Sequence, residues 1–346
     1  MSKIDIKSLT FDELLNEIKA MGQPTYKAKQ ISSWLARGVT NFDEMTDQSK
    51  LFRAQMEEKF QICNLIVEKR LVSAIDNTVK YLYKLNDGEF VESVVMQYHH
   101  GYTICISTQV GCRMGCSFCA TGMEGLARNL TPAEMISQIT EAERDLKIRI
   151  SNIVLMGMGE PLDNYDNVLK FLRIVSSPES LNIGMRHISL STCGVVNKID
   201  DLAAENLQLT LSVSLHAPND EIRSQMMPIN KRWGIDELLS ACKRYTKTTG
   251  RRISFEYAMV DGVNDSRENA VQLASKLKGM LCHVNLIPVN PVDGTGYRES
   301  RADRIKSFID ILGHSGITAT VRRTLGSDIN ASCGQLRRGV KRGGDA

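Results

Sequence analysis

The residues best suited to chemistry in this sequence are three cysteines in the stretch GCRMGCSFCATG, residues 111–122: Cys112, Cys116 and Cys119. Thiolates are strong metal ligands, and the glycines beside them let the backbone wrap closely around a bound group. A structural zinc site normally closes with four ligands. An iron–sulfur cluster held by three thiolates instead leaves one iron open to an outside ligand. The stretch therefore predicts a metal centre with an open position, against the alternatives of a zinc site or three unrelated thiols.

The elements around these cysteines alternate between strand and helix patterns. The strand-like run YTICISTQV at 102–110 precedes them, and the helix-like run TPAEMISQITEAERDL at 131–146 follows them. Five further strand-like runs come later, each trailed by a helical segment: NIVLMGM at 152–158, HISLSTCG at 187–194, LTLSVSLHA at 209–217, ISFEYAMV at 253–260 and VNLIPVN at 284–290. Six such βα units predict an α/β fold with a parallel sheet and functional loops at the carboxyl ends of its strands.

Two of the strand-like runs carry polar side chains at every second position, which places these side chains on one face. They are Thr210, Ser212, Ser214 and His216 in one run and His187, Ser189, Ser191 and Cys193 in the other. A closed eight-stranded barrel fills its interior with branched apolar side chains, so a polar face favours an open, partial (β/α)6 barrel that holds a polar ligand. An antiparallel sheet with one wet face is the alternative, and the interleaved helices argue against it.

The chain before residue 100 has a different pattern. Residues 8–60 predict short helices, within LTFDELLNEIKAMG and QPTYKAKQISSWLARG. Lys27, Lys29 and Arg37 give this module a basic surface suited to RNA contact, although such helices are more often plain surface. The turn Asn86-Asp87-Gly88 then predicts a hairpin within VKYLYKLNDGEFVESVVMQY.

These patterns predict four parts of the chain. We expect a helical RNA-binding accessory domain at 1–60 and a β-hairpin extension at 61–97. The (β/α)6 core follows at 98–330, and a C-terminal loop with a basic tail occupies 331–346. That tail holds four basic residues against one acid, and a solvated tail is the plainer interpretation: Arg337, Arg338, Lys341 and Arg342, with Asp345.

The composition limits the class of protein. With 346 residues and a formal net charge of +3, charge alone does not indicate nucleic-acid binding. The N-terminal sequence has no apolar export signal, and no apolar run reaches membrane-spanning length. The nine cysteines are therefore expected to be reduced thiols, metal ligands or catalysts. We expect a cytoplasmic protein with no membrane contact.

The cysteine stretch, with Phe118 just before its last cysteine, resembles the signature of the radical S-adenosylmethionine (SAM) enzymes. The resemblance implies one [4Fe–4S] cluster per chain, held by Cys112, Cys116 and Cys119. SAM would bind the open iron through its amino and carboxylate groups. Electron transfer would then cleave SAM to a 5′-deoxyadenosyl radical, so the fourth position belongs to the substrate.

The resemblance extends to residues that would bind SAM. Gly157-Met-Gly-Glu160 is similar to the superfamily's motif for the amino group of SAM, which implies a binding role for Gly159 and Glu160. Taken alone, a Gly-x-Gly more often marks a turn. The residues that would contact the ribose, carboxylate and adenine of SAM are Ser191, Ser214, Leu215, His216 and Asn290. Each of these is otherwise explained as a satisfied residue inside the barrel.

Six blocks of sequence, in order over nearly the whole chain, resemble the RlmN/Cfr family of rRNA adenine methyltransferases: GCRMGCSFCATG, RNLTPAEMISQI, LMGMGEPLDNYDNV, SLHAPNDEIRSQMMPIN, VNLIPVNP and DINASCGQL. The resemblance implies that two SAM molecules are consumed. One methylates a cysteine near the C-terminus, which matches Cys333 here. The other supplies the radical that removes a hydrogen from this S-methyl group. The resulting carbon radical would add to adenine and join protein and RNA covalently.

The same resemblance assigns product release to two further residues. Cys105 matches the resolving thiol, which ends in a disulfide with Cys333, and Glu92 matches the base that accepts the adenine proton. Taken alone, Cys105 is more often a buried apolar thiol and Glu92 a solvated carboxylate. The residues expected on the strand face of Cys105 are Thr103, Ser107 and Gln109. The cysteines that match no family role, and are expected to be structural, are Cys63, Cys193, Cys242 and Cys282.

The family has two branches with different targets. One methylates C2 of an adenosine in the peptidyl-transferase region of 23S rRNA and also an anticodon-adjacent adenosine in some tRNAs. The other methylates C8 and confers antibiotic resistance. Met156-Gly-Met-Gly-Glu-Pro161 and Val289-Asn-Pro291 fit the first branch better. The implied partners are 23S rRNA, tRNA and an electron donor such as a flavodoxin system. A zinc-loaded RNA-binding protein and a different radical SAM enzyme are the competing hypotheses.

Overall fold

A computed structural model of the chain describes residues 3–290, 292 and 294–336. The basic residues predicted to form a tail, Arg337, Arg338, Lys341 and Arg342, lie outside the described residues, as does Pro291.

Strands and helices alternate along most of the described chain. The strands are β1 (Ile4–Asp5), β2 (Phe60–Gln61), β3 (Ile66–Val72), β4 (Val79–Lys84), β5 (Phe90–Tyr98), β6 (Gly101–Cys105), β7 (Gln109–Gly111), β8 (Leu126–Asn129), β9 (Ile150–Leu155), β10 (Ile188–Thr192), β11 (Thr210–Ser214), β12 (Ile253–Met259), β13 (Cys282–Pro288) and β14 (Ala319–Val321). The α-helices are α1 (Phe11–Ala20), α2 (Tyr26–Ala36), α3 (Lys50–Lys59), α4 (Ala120–Met123), α5 (Pro132–Leu146), α6 (Tyr165–Ser176), α7 (Val196–Ala204), α8 (Asp220–Met226), α9 (Ile235–Thr249), α10 (Arg267–Leu277) and α11 (Ala302–His314).

The main sheet has the strand order β14-β13-β12-β11-β10-β9-β6-β5-β4-β3. Neighbours from β6 to β14 are parallel, and a helix lies in each connection between them. The six predicted βα strands are β6 and β9 to β13, so the partial (β/α)6 barrel expected from the sequence is confirmed. The short strand β14 adds a seventh parallel strand that we had not predicted, because three residues show no readable alternation.

The alternation of polar and apolar residues in β11 predicts its two faces correctly. Leu209, Leu211, Val213 and Leu215 are buried in the main hydrophobic core. The long helix α5 covers the sheet near β6 and begins with a capping box, in which Thr131 and Glu134 each accept from the other's backbone N–H. These apolar layers leave the opposite, polar side of the parallel strands free to form a site.

The first parallel strand is shorter than predicted. The run YTICISTQV divides into β6, which ends at Cys105, and β7, which pairs with β8 instead of the main sheet. Between them, the Ser107 hydroxyl donates to the Glu92 carbonyl at 2.6 Å and accepts from the Met158 N–H at 3.0 Å. The expectation that Ser107 and Gln109 continue the strand face of Cys105 was therefore wrong, because side-chain hydrogen bonds turn the chain after β6.

The N-terminal helices bury their apolar residues in a second core cluster. The ammonium of Lys7 connects this module to the rest of the chain, because it donates to the Cys63 carbonyl at 2.9 Å and to the Ser137 hydroxyl at 3.3 Å. Lys29 and Arg37 are exposed, whereas the ammonium of Lys27 lies 4.0 Å from the centre of the Phe52 ring. Part of the expected basic surface is thus used in packing.

Strands β4 and β5 form the hairpin predicted at Asn86-Asp87-Gly88. The hairpin is not a free extension: β5 pairs antiparallel with β6, so β3, β4 and β5 continue the main sheet. Among the described residues, no helix is long and apolar enough to cross a membrane.

Candidate active site

The carboxyl ends of β9 to β13 surround a cleft that opens to solvent. The three clustered cysteines, Cys112, Cys116 and Cys119, line one wall. The predicted SAM-binding residues that also line it are Gly159, Glu160, Ser191, Ser214, His216 and Asn290. A concave site with a few convergent polar groups is typical of small-molecule binding.

Backbone hydrogen bonds shape the cysteine loop. The Cys112 N–H donates to the Gly125 carbonyl at 2.9 Å, and the Ser117 N–H donates to the Met226 carbonyl at 2.9 Å. A Cβ on Gly122 would lie only 3.1 Å from the Cys116 nitrogen, so the turn is too tight for a side chain there. The loop closes on itself and directs its thiols into the cleft.

The thiols of this loop fit a metal cluster. Burial raises the pKa of Cys112 to about 12 and raises the pKa values of Cys116 and Cys119, and for Cys116 the two neighbouring thiols add to the rise. Such thiols release their protons when a metal binds. No three His, Cys, Asp or Glu side chains of the described residues converge on one ion. Each thiolate of a [4Fe–4S] cluster binds a different iron, so convergence on one point is not required.

The Gly157-Met-Gly-Glu160 segment lies directly against the chain after β6. A Cβ on Gly157 would be 2.6 Å from the Ile106 carbonyl oxygen, and a Cβ on Gly159 would be 2.6 Å from the Gln109 Cβ. Gly159 also has a φ of 103°, which favours glycine. Close packing therefore requires both glycines, and it brings Glu160 to the wall of the cleft.

The Glu160 carboxylate is buried but hydrogen-bonded. It accepts the Leu162 N–H at 3.0 Å on one oxygen and the Cys193 N–H at 2.7 Å on the other. Burial raises the pKa of Glu160, and the hydrogen bonds from Cys193 and Leu162 oppose that rise. The Thr192 and Cys193 side chains also hydrogen-bond to this carboxyl group, so a ligand ammonium would share it with protein donors.

The His216 imidazole presents a single N–H to the cleft. Its Nδ1 accepts the Ala258 N–H at 2.9 Å, which leaves the hydrogen on Nε2. Burial lowers the pKa of His216 to about 3, and the Arg223 guanidinium contributes to the decrease. The Phe118 ring packs edge-on against the imidazole at 4.7 Å between ring centres. His216 is therefore a neutral hydrogen-bond donor beside the cysteine loop.

Leu215 is the one predicted SAM-binding residue that does not line the cleft. Its side chain is buried in the core, and its N–H donates to the Glu256 carbonyl at 3.0 Å. The backbone carbonyls at this strand end are satisfied by the fully buried Arg223. Its guanidinium donates to the carbonyls of Leu215, Cys193 and Ser214. Leu215 thus shapes the strand end without presenting a side chain to a ligand.

Several residues that line the cleft were not predicted as site residues from the sequence, and Cys193 and Glu256 are two of them. Cys193, expected to be structural, lines the cleft next to Glu160. Glu256 lies on β12 and also lines the cleft, where its carboxylate accepts from Ser254 at 3.0 Å and from Asn285 at 2.8 Å. The alternation of the run ISFEYAMV, which places Glu256 two residues after Ser254, could have indicated this polar face.

A second, smaller cavity adjoins the cleft beside the C-terminal loop, which we define as residues 326–336. Cys105 and Cys333 both line this cavity, and Cys333 lines the cleft as well. The structure therefore brings together two cysteines that are far apart in sequence. All nine cysteines, these two included, are free thiols.

The C-terminal loop is attached on both sides. Toward the cleft, it accepts from Asn290 Nδ2 at the Cys333 carbonyl (3.0 Å), from the Ala120 N–H at the Gly334 carbonyl (2.8 Å) and from the Thr121 hydroxyl at the Leu336 carbonyl (2.6 Å). Toward the β3–β4 turn, the Gly326 N–H donates to Asp76 at 2.8 Å, and Asp328 accepts the Ala74 N–H at 2.9 Å. These contacts fix Cys333 between the two cavities.

The charge of Arg322 acts on both thiols of the second cavity. Burial raises the pKa of Cys105 to about 12, the Cys333 thiol adds to the rise, and the Arg322 guanidinium opposes it. Conversely, Cys333 is the main cause of a raised pKa at Arg322. Arg322 lines both cavities and was not predicted as a site residue. Its position favours the thiolate form of Cys105, the form that sulfur chemistry requires.

Glu92 lies on the same face of the sheet as Cys105. Val94 is paired with Cys105 across β5 and β6, and Glu92 precedes Val94 by two residues on β5. Diagonal neighbours of this kind are separated by about 7–8 Å. Glu92 is buried, at 8% exposure, and its carboxylate forms an ion pair of 2.9 Å with Lys80. The alternative interpretation from the sequence, that Glu92 is a solvated carboxylate on a strand, is therefore wrong.

Comparisons with known proteins agree with this geometry. Residues 106–274 match the model of the radical SAM superfamily, and residues 4–62 match the ribosomal RNA large subunit methyltransferase N-terminal domain. A crystal structure of a radical SAM methyltransferase from Sphaerobacter thermophilus superposes with a TM-score of 0.93 at 45% identity, covering 96% of this chain and 99% of that one. The fold and the thiol-lined cleft thus define a radical SAM enzyme, a class that uses a [4Fe–4S] cluster and SAM.

Relatives in sequence narrow the family. The chain is 54% identical to a probable dual-specificity RNA methyltransferase RlmN from Alkaliphilus oremlandii, over 98% of both chains. It is 52% identical to a protein of the same description from Clostridium novyi, over 96% of this chain and 98% of the relative. The chain belongs to the RlmN family of radical SAM RNA methyltransferases.

Proposed function

We propose that this enzyme methylates C2 of an adenosine in the peptidyl-transferase region of 23S rRNA and C2 of an anticodon-adjacent adenosine in tRNA, in the cytoplasm. The observation that carries the proposal is the position of Cys333, which lines both the cleft and the cavity of Cys105. A cysteine in this position can receive a methyl group on one side and pass it on at the other. The names of the relatives, which describe dual-specificity RNA methyltransferases, support two RNA substrates.

The chemistry at adenine C2 explains why such a relay is needed. C2 is electron-poor and carries a hydrogen that is not acidic, so it cannot attack the methyl group of SAM as a nucleophile. A carbon radical can add to it. When bound by Cys112, Cys116 and Cys119, the cluster supplies the electron that cleaves SAM and produces the 5′-deoxyadenosyl radical.

In this proposal the cleft residues orient SAM. Glu160 binds the SAM ammonium next to Gly159. Ser191, Ser214 and the Nε2–H of His216 donate to its polar groups. Asn290 adds a contact and also holds the Cys333 carbonyl at 3.0 Å. This last hydrogen bond links SAM binding to the position of the C-terminal loop.

Cys333 and Cys105 complete the transfer. The Cys333 thiolate takes a methyl group from one SAM molecule, and loss of a hydrogen atom from that group produces the carbon that bonds to C2. The adduct then gives up one electron to the oxidised form of the external one-electron carrier, and Glu92 accepts the proton from C2. The Cys105 thiolate attacks the Cys333 sulfur, the carbon–sulfur bond breaks, and the released carbon takes up a proton. The resulting disulfide is reduced by an external donor, such as a flavodoxin system or a dithiol.

The remaining parts of the chain fit roles around this centre. We assign RNA binding to the helical module at 1–60, where Lys29 and Arg37 are exposed, and to the basic tail after residue 336. The hairpin region at 61–97 supplies Glu92, the core at 98–330 supplies the cleft, and the region from 331 supplies the methyl carrier.

The direct test is the identity of the methylated base. The reconstituted protein is incubated with SAM, a reductant and either a 23S rRNA fragment or a tRNA, and the digested RNA is analysed by mass spectrometry against 2-methyl and 8-methyl adenosine standards. We expect 2-methyladenosine from both RNAs. Formation of 8-methyladenosine would overturn the regiochemistry, and a product from one RNA alone would overturn the dual specificity.

A second test addresses the cysteine relay. Cys105→Ala removes the resolving thiol and leaves Cys333 in place, so we expect a covalent protein–RNA adduct that survives denaturing electrophoresis. Wild-type protein, which resolves the adduct, serves as the control. Absence of an adduct from a variant that still cleaves SAM would remove Cys105 from this role.

A further inference from the structure

Lys80 is a buried lysine for which the reaction described above has no role. It lies on β4 and is only 7% exposed. Its ammonium is 2.9 Å from Oε1 of Glu92 on the adjacent strand β5. The same ammonium donates to the backbone carbonyl of Asn330 at 3.0 Å. One side chain therefore contacts both the proposed proton acceptor and the loop that carries Cys333.

The sheet register places this contact beside the reacting thiols. Lys80 pairs with Val94, and Val94 pairs with Cys105, so the three residues form a row on one face across β4, β5 and β6. Glu92 lies on the same face, two residues before Val94. The C-terminal loop covers this face, because Ala331, Ser332 and Cys333 line the cavity together with Val94 and Cys105. Lys80 and Glu92 thus lie on the same sheet face as Cys105, next to the cavity that Cys105 and Cys333 line.

The ion pair determines which form of Glu92 is stable. A buried carboxylate without a cation favours its neutral form, and a neutral carboxyl group cannot accept a proton. The Lys80 ammonium, as an opposite charge within hydrogen-bond distance, stabilises the ionised form. An ammonium has three donors, so Lys80 can serve Glu92 and Asn330 at the same time. The same lysine therefore stabilises the ionised form of Glu92 and holds the loop that carries Cys333.

The loop has other contacts on this side that do not involve Glu92. Gly326 donates to Asp76, and Asp328 accepts from Ala74. Asn330 itself has a φ of 51°, in the left-handed region, which turns its carbonyl toward β4. Holding the loop is thus shared among several residues, and Lys80 is a residue that contacts both the loop and the carboxylate.

We propose that Lys80 is a positioning residue for the resolution step: it keeps Glu92 ionised and fixes this carboxylate relative to the loop that carries Cys333. The inference rests on the function proposed above for Glu92, Cys105 and Cys333. The proton passes from adenine C2 to the Glu92 carboxylate. Methylation of Cys333 and cleavage of SAM precede proton removal and do not depend on Lys80.

The test compares early and late steps in the full-length, cluster-loaded protein with an RNA fragment. In Lys80→Met, we expect S-methylation of Cys333 and formation of 5′-deoxyadenosine within about twofold of wild type. Release of methylated RNA should slow by about 10- to 100-fold, because general-base assistance is impaired. The covalent protein–RNA adduct should therefore accumulate. Lys80→Arg retains the cation and should resolve the adduct faster than Lys80→Met.

Asp328→Ala is the matched control, because it removes a contact of the same loop and leaves the Lys80–Glu92 pair intact. It should not accumulate the adduct. Equal accumulation in Asp328→Ala would reduce the role of Lys80 to holding the loop and overturn the proposal, as would wild-type release by Lys80→Met. Should Lys80→Met fail to fold, Lys80→Gln, whose neutral amide can still donate, gives the same comparison of adduct levels.

Cys105→Ala separates this inference from the function on which it rests. An adduct in Cys105→Ala without one in Lys80→Met refutes the role of Lys80 alone. If neither variant forms an adduct while both methylate Cys333 and cleave SAM, the covalent relay itself is refuted.

Discussion

The cleft and the smaller cavity meet at Cys333, but they are built from different parts of the chain. The cleft uses residues at the carboxyl ends of successive parallel strands, β9 to β13. The smaller cavity combines the antiparallel strand β5, the end of β6 and the segment from Arg322 to Leu336. In the proposed function, the cleft and the cysteine loop hold SAM and the cluster. Transfer of a methyl group through a cysteine would additionally use the flanking strands and a loop from the far end of the chain.

Removing one of the three proposed cluster cysteines tests whether methyl transfer in the smaller cavity depends on a cluster in the cleft. Cys116→Ala should abolish both the cluster and all activity, because two thiolates are left where three are needed. Anaerobically purified wild-type protein should contain about four irons per chain, and the variant close to none. Iron analysis, the visible absorption spectrum and assay of 5′-deoxyadenosine measure the loss. Cys242→Ala, at a buried thiol outside the cleft, is the control and should keep its iron. A Cys116→Ala protein with its full iron content would disprove the cluster assignment.

Removing the shared cysteine should separate the two regions. Cys333→Ala removes one thiol from the cleft lining and keeps the other lining residues. SAM cleavage should therefore continue, while methylation of RNA should fall below detection because the methyl carrier is lost. The measurements are 5′-deoxyadenosine by chromatography and methylated RNA by mass spectrometry. Continued methylation by Cys333→Ala would show that the two cavities are not connected through this residue.

The difference between the two regions also explains what the sequence could predict. The cysteine spacing, the six βα units and the polar alternation of β10 and β11 are local patterns, and they predicted the fold and the position of the cleft at the ends of the parallel strands. The contact of Leu215 with SAM was implied by the family resemblance and stays a prediction, while its side chain lies in the core, as period-two alternation predicts. The same alternation places Glu256 on the polar face of β12, a position that we did not predict.

The second cavity depends on contacts between distant residues, which no local pattern contains. Cys105 and Cys333 were paired only through a family resemblance, and the roles of both stay predictions. Lys80 and Arg322 carry no local signal, since each is an ordinary basic residue in a strand or loop. The early end of β6 was also unpredictable. The Ser107 hydroxyl that follows it donates to a carbonyl of β5 and accepts an N–H of the loop after β9, and both partners are distant in sequence.

The strand ends that form the cleft should depend strongly on Arg223. This fully buried guanidinium donates to three carbonyls and to Asn230. Arg223→Met leaves these acceptors unpaired and should reduce the free energy of unfolding by about 3–4 kcal/mol, measured by urea denaturation under anaerobic conditions. Arg173→Met removes an exposed ion pair with Glu205 and should change stability by about 0.5 kcal/mol. Similar values for the two variants would mean that the cleft floor does not rely on this network.

The smallest effect is expected at His216, and only in acid. Because the folded-state pKa is about 3 against an ordinary value of 6.5, the unfolded chain binds a proton that the folded chain excludes between these two pH values. Stability from this group is therefore complete above pH 6.5 and decreases as the pH falls. Between pH 7 and pH 5 the loss amounts to about 2 kcal/mol. His216→Asn, whose side-chain oxygen can replace Nδ1 as the acceptor from Ala258, has no such titration and should lose less stability over the same interval. Urea denaturation of both proteins at pH 7 and pH 5 gives the two slopes. Equal slopes would show that His216 is protonated freely in the folded protein, and the cleft would then present a cation to SAM where the structure has a neutral donor.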